Sequence, residues 1–198
     1  MIPVGLSIDL RHGDIMPARH YDEPVVLWRD AQGIVHAWED RCPHRGVRLS
    51  LGFMRNDRLA CQYHGWQFDR DGHCRVIPAH PSLNPPSTIR ARVYEVVEKA
   101  GMLWVDFANR GARAAIAPAQ GNWYGVRSLA IRAPESETRA SLVLEEGQWR
   151  LSADRLLALH TPQVGITMVH VAVSDESARL KAAQWLTHLR DTLEEIVC

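Results

Sequence analysis

The sequence predicts an α+β chain. A small all-β unit occupies residues 1–107, a linker 108–122, and a small sheet with one C-terminal helix 123–198. Three observations predict this. Short β-rich runs separated by turn residues fill the first half, where no helical period persists. A stretch rich in Gly, Ala and Pro, ANRGARAAIAPAQGN, then interrupts them. Finally, an amphipathic run closes the chain.

In the first unit, PVVLWRD (24–30) and GIVHAWED (33–40) flank an Ala-Gln-Gly turn and predict a hairpin. The run RLACQYHGWQFDRDGHCRVI holds two or three short strands, with Asp71-Gly72 as a tight turn. ARVYEVVEKAGMLWVDF alternates around a turn at residues 99–101. In the second unit, RSLAIRAP, RASLVLEEG, WRLSADRLLALHTP and GITMVHVAVS are expected as strands. The last run, DESARLKAAQWLTHLRDTLEEIV, predicts a helix. Ala182, Trp185, Leu186, Leu189, Leu193 and Ile196 recur at three- and four-residue steps on a core-facing stripe. Ser174 or Asp175 can cap it, with acidic residues in the first turn.

Composition narrows the function classes. The chain has 198 residues and is 46% hydrophobic, enough for a packed core. Lys+Arg and Asp+Glu number 23 each, with no basic excess for a nucleic-acid binder. Most basic residues are arginine, which base composition explains. No signal peptide and no membrane-length apolar run is read, so a cytoplasmic location is expected. Four cysteines in such a chain point to metal or redox chemistry rather than a disulfide scaffold.

The chemistry concentrates in CPHRGVRLSLGFMRNDRLACQYHGW, Cys42 to Trp66. Cys42 pairs with His44, and Cys61 with His64. A zinc finger usually groups its cysteines before its histidines. Each pair here mixes one Cys with one His. That fits a two-iron cluster in which two thiolates hold one iron and two imidazoles the other, although zinc in the same ligands remains an alternative.

Cys42-Pro-His44, followed after residues 45–60 by Cys61-Gln-Tyr-His64, resembles the Rieske iron–sulfur motif. The resemblance covers about residues 1–107. It implies that Cys42 and Cys61 bind the inner iron, and that His44 and His64 bind the outer iron near the surface. Gly46 and Gly65 suit loops that bend closely around bridging sulfides, and nearby amides can donate to sulfur. Pro43 stiffens the first loop, while Tyr63 and Trp66 pack around the cluster. The extra loop cysteines of the respiratory type are lacking. Cys74 and Cys198 are expected to be structural or incidental. CPHRG and CQYHGWQFDRDGHC look like the Rieske oxygenases, particularly the demethylase and monooxygenase group.

That group also carries a mononuclear iron held by two closely spaced histidines and a carboxylate. Beyond the first unit only His160, His170 and His188 remain, widely dispersed, and each is expected to pack or face solvent. NWYGVRSLAIRAPE and LLALHTPQVGITMVHVAV with the final helix resemble a shortened oxygenase catalytic domain. The expected cofactor is therefore a Rieske 2Fe-2S cluster without mononuclear iron, and no catalytic residue is assigned. The expected role is single-electron transfer from a reductase or ferredoxin to a separate oxygenase iron centre. The alternatives are a Rieske-bearing subunit of a hetero-oligomeric oxygenase, or a complete oxygenase with an unrecognised iron site. Neither nucleic acid nor membrane is an expected partner.

Overall fold

The structure, a computed structural model, describes residues 1–108, 121–144, 150–152 and 154–197. Most of the expected linker, Cys198, and the end of the expected strand RASLVLEEG lie outside the described residues. In chain order the first half contains β1 (Ile2–Leu6), β2 (Ile15–His20), β3 (Glu23–Arg29), β4 (Val35–Glu39), β5 (Phe53–Arg55), β6 (Arg58–Ala60), β7 (Gln67–Phe68), β8 (Cys74–Val76), β9 (Val93–Lys99) and β10 (Met102–Asp106). The second half contains β11 (Tyr124–Ile131), α1 (Glu135–Leu142), β12 (Arg150–Leu151), β13 (Arg155–Gln163), β14 (Ile166–Val173) and α2 (Arg179–Val197).

Three antiparallel sheets result. Six strands run in the order β1-β10-β9-β4-β3-β2, four in the order β5-β6-β7-β8, and four in the order β11-β14-β13-β12. The predicted hairpin is β3–β4. Its turn is closed by the Asp30 carboxylate, which accepts from the Gln32 and Ile34 amides at 2.9 and 2.8 Å. The Asp71-Gly72 turn is present as well: Gly72 has φ +80° and donates to the Asp69 carbonyl at 2.9 Å.

The third sheet is covered on both faces, which accounts for the unbroken apolar runs of β13 and β14. Leu157, Leu159, Val169 and Val171 pack toward Ala182, Leu186 and Leu193 of α2. Leu156, Ala158 and Ala172 meet Leu6, Met102 and Trp104 of the six-stranded sheet. Trp185 and Leu189 of the predicted α2 stripe are partly buried members, the Ile196 side chain lies outside the described residues, and the Arg155 guanidinium lies 4.6 Å from the Trp185 ring centre.

Two expectations change. RASLVLEEG was expected as a strand, but its first residues end helix α1. The helical signal begins earlier, in ESETRASL. Glu135 and Glu137 occupy the first turn, and Arg139 pairs with Glu135 at 2.6 Å across one helical step. Thr138 and Leu142, four apart, are buried together. At the C-terminal end Asp175 does cap, accepting from the Ser177 amide at 2.9 Å, but it caps a 3-10 turn, Glu176–Ala178. The acidic residue sits in that turn, and the first turn of α2 carries none.

Candidate metal centre

The two ligand pairs sit in loops with the same backbone pattern. In the first, the Cys42 amide donates to the Val47 carbonyl and the Gly46 amide to the Cys42 carbonyl, both at 2.8 Å. In the second, the Cys61 amide donates to Trp66 and the Gly65 amide to Cys61, both at 2.9 Å. Gly46 and Gly65 have φ of +74° and +69°, a region L side chains rarely adopt. Each loop is thus a Cys-to-Gly turn of equal length. The histidine falls two residues after Cys42 and three after Cys61.

The sheet β5-β6-β7-β8 carries the second loop between β6 and β7. The first loop leaves β4 through Asp40, whose buried carboxylate accepts from the Ser50 amide at 2.7 Å and the Ser50 hydroxyl at 2.6 Å. Gly52 then passes so near β6 that a Cβ there would lie 2.3 Å from the Ala60 carbonyl oxygen. This carboxylate clamp and close approach were missed in the sequence. The Asp-x-Cys spacing was visible, but its partner Ser50 lies ten residues on.

All four predicted ligands come together. Cys42 and Cys61 are buried within the core that holds Trp28, Trp38, Phe68 and Cys74. Both thiols are free, and they lie against one another. The His44 and His64 ring centres are 4.7 Å apart, with His64 exposed. Trp66 stacks on His44 at 4.1 Å and an interplanar angle of 6°, and Tyr63 lies 3.9 Å from His64. The two aromatic residues therefore flank the imidazoles, as expected. No hydrogen bond to another described residue engages either imidazole.

Burial pushes the Cys42 thiol up to about 11, and the neighbouring Cys61 adds to this, while the amides of His44 and Arg45 pull the other way. Buried against Cys61 and without a cation, the Cys42 thiol thus resists ionisation. Iron would supply the compensating charge, and a coordinating thiol is deprotonated. His44 is lowered from its ordinary value by burial, then by the neighbouring His64 and Arg45, which favours the neutral, ligating imidazole. The donor set thus fits a cluster with thiolates inside and imidazoles outside. The four ligands form two pairs, which suits two irons better than one zinc.

His160 and His170 are packing histidines. Both are buried, joined at 3.0 Å from His160 Nδ1 to His170 Nε2. His160 Nε2 meets the Arg19 carbonyl at 3.1 Å, and His170 Nδ1 meets Ser128 Oγ at 2.7 Å. His188 is exposed on α2. None joins the Cys/His site.

Residues 1–94 match the family model described as the Rieske [2Fe-2S] domain. Over 103 residues the chain is 41% identical to the oxidoreductase NdmD of Pseudomonas putida, covering 52% of this chain and 18% of that protein. Over 100 residues it is 41% identical to the methylxanthine N1-demethylase NdmA of the same organism, covering 50% of this chain and 25% of NdmA. The matched segment is thus a quarter or less of these relatives. Among solved structures, apo dicamba monooxygenase superposes with a TM-score of 0.78 at 18% identity, covering 98% of this chain and 85% of that one. That likeness is one of fold, and it extends through the third sheet and α2.

Proposed function

Residues 1–94 being a Rieske [2Fe-2S] domain homologous to the N-terminal part of Rieske oxygenases, we propose that the chain is a single-electron carrier in an oxygenase system. It would receive electrons from a reductase or ferredoxin and pass them to an iron centre on another chain. Cys42, His44, Cys61 and His64 would hold the cluster. The observation that carries this reading is the pair of matched loops, which bury two thiols and turn two uncommitted imidazoles outward.

When bound, the cluster supplies reversible one-electron chemistry, and imidazole in place of thiolate raises its potential. The chain's residues do the rest. The apolar core around Cys42 and Cys61 excludes water from the sulfur side. Backbone amides of His44 and Arg45 donate to Cys42 Sγ and stabilise negative charge there. Trp66 fixes the His44 ring plane by stacking. The His64 edge, exposed to solvent, is the short route to a docked partner.

His160 and His170 spend their ring nitrogens on hydrogen bonds, which supports a chain that does not itself hold an oxygen-activating iron. The fold likeness to dicamba monooxygenase favours a second reading, a Rieske-bearing subunit completed by another oxygenase chain.

Iron and sulfide analysis tests the primary reading. Reconstituted protein is expected to hold about two irons and two labile sulfides and to give a Rieske-type EPR signal on reduction. Reoxidation should then proceed in one-electron steps without substrate oxygenation. Tight zinc without labile sulfide would refute it. Substrate hydroxylation or demethylation in a single turnover, with no second protein present, would replace it by an autonomous oxygenase.

A further inference from the structure

The surface around the imidazoles is unevenly charged. Arg41, Arg45, Arg90 and Arg92 line one groove of about 370 Å³ with His44, and Glu39 is the one carboxylate residue in its lining. Arg92 meets Glu23 at 3.4 Å. Among the described residues no carboxylate forms an ion pair with Arg41, Arg45 or Arg90. The chain as a whole is neutral, so this excess is local. The groove draws on the first ligand loop and on residues 90–92, segments about fifty positions apart in sequence, so the fold concentrates the charge.

The other loop differs. A second pocket is lined by Val47, Gln62 and Tyr63, with no charge. Tyr63 is 56% exposed and its ring lies 3.9 Å from that of His64. The exposed His64 ring therefore has Tyr63 beside it and, 4.7 Å away, His44, which lines the arginine groove. Protein interfaces are enriched in Tyr and Arg, with aromatic anchors near the centre and charge at the rim.

We propose that this face is the docking site for an acidic one-electron carrier protein, with Tyr63 at the centre of contact and Arg45 and Arg90 opposite the partner's carboxylates. The proposal rests on the electron-carrier reading above. Charge complementarity selects the partner. An uncompensated basic rim steers an acidic surface toward the imidazole edge and repels a basic one. The electron enters beside the site that would hold it, so the contact need not bury a large area or persist.

The test is stopped-flow reduction of the oxidised holoprotein by reduced plant-type ferredoxin, an acidic carrier. The second-order rate constant is expected to fall about tenfold or more as salt rises from about 0.01 to about 0.5 M, because added ions screen the attraction. Arg45→Glu/Arg90→Glu should lower the low-salt rate by about tenfold and flatten its salt dependence. Arg90→Glu alone lies outside the ligand loops. It should give a loss of roughly threefold, and it keeps the test valid if the double variant binds its cluster poorly. Oxidation of the reduced Arg90→Glu protein by the trication tris(phenanthroline)cobalt(III) should be as fast as wild type or faster. A salt-independent wild-type rate, or unchanged rates in both variants, would overturn the docking site and leave the carrier role standing. A holoprotein reduced by neither ferredoxin nor dithionite would overturn both.

Discussion

Two pairs of histidines lie at nearly the same separation and have opposite fates. The ring centres of His44 and His64 are 4.7 Å apart, and those of His160 and His170 are 5.1 Å apart. The second pair is buried, and its protons are fixed by its partners. The Arg19 carbonyl can only accept, so His160 Nε2 carries a proton and Nδ1 accepts. His170 Nε2 must then donate to it, and His170 Nδ1 accepts from the Ser128 hydroxyl. No lone pair is left for a metal. The first pair has no such commitments and sits beside two free thiols. Proximity therefore does not distinguish a ligand histidine from a structural one; an uncommitted lone pair does.

The largest effect expected from this contrast is all-or-none. Cys42→Ser or Cys61→Ser should abolish the cluster, because a hydroxyl is a poor, hard ligand for an iron–sulfur centre. Iron, labile sulfide and the reduced-state EPR signal should disappear together. His170→Ala should leave the EPR g-values unchanged, yet destabilise the fold by about 2 kcal/mol or more, because it strands the Ser128 hydroxyl and His160 Nδ1. Loss of the signal in His170→Ala would break the division between the pairs.

Acid sharpens the same contrast. Burial, and secondarily His20, lowers His160 to about 4, against the opposing effects of the Arg19 carbonyl and Glu135. His170 is also lowered well below its ordinary value, by burial and then by His160, with the Pro3 carbonyl acting the other way. An unfolded histidine titrates near 6.5, so from that pH down to about 4 the unfolded chain binds more protons. The contribution of His160 is thus complete above about 6.5 and is lost as the pH falls toward 4, a change on the order of 3 kcal/mol. Denaturant titrations across this window should show stability falling with acid. In a His160→Gln/His170→Gln background that slope should become markedly shallower. An unchanged slope would show that other groups control acid stability.

Local sequence made the candidate ligand set legible. Cys42-Pro-His44 and Cys61-Gln-Tyr-His64 hold its four residues, and the turn glycines lie four residues after each cysteine. The α2 stripe was equally readable, because its period is contained within one helix. What escaped depends on distant segments or on where a segment is taken to begin. His160 and His170 meet because β13 and β14 pair Ala158 with His170 and His160 with Met168, making the histidines diagonal neighbours. The arginine rim needs Arg45 and Arg90 on one groove. The end of helix α1 was taken as a strand because the apolar run LVL drew attention away from the acidic helix start at Glu135.

The smallest expected effect separates the two ligand loops from each other. Gly46 and Gly65 share a left-handed backbone, so alanine at either should cost about 1–2 kcal/mol. Their surroundings differ. A Cβ at Gly46 would meet Arg41 Nε at 3.3 Å, near the end of a flexible side chain that can swing toward solvent. At Gly65 it would meet Pro78 Cγ at 3.1 Å, and a proline ring cannot swing away. Gly65→Ala should therefore destabilise the holoprotein more than Gly46→Ala, by about 1 kcal/mol, the scale of overpacking a closely packed site. Urea midpoints, read together with the rate of cluster bleaching, measure the difference. Pro78→Ala should bring the two variants together, since it removes the rigid ring that distinguishes them. Equal costs with Pro78 intact would mean that the Gly65 loop can move away from Pro78 and that backbone strain alone sets the penalty in both loops.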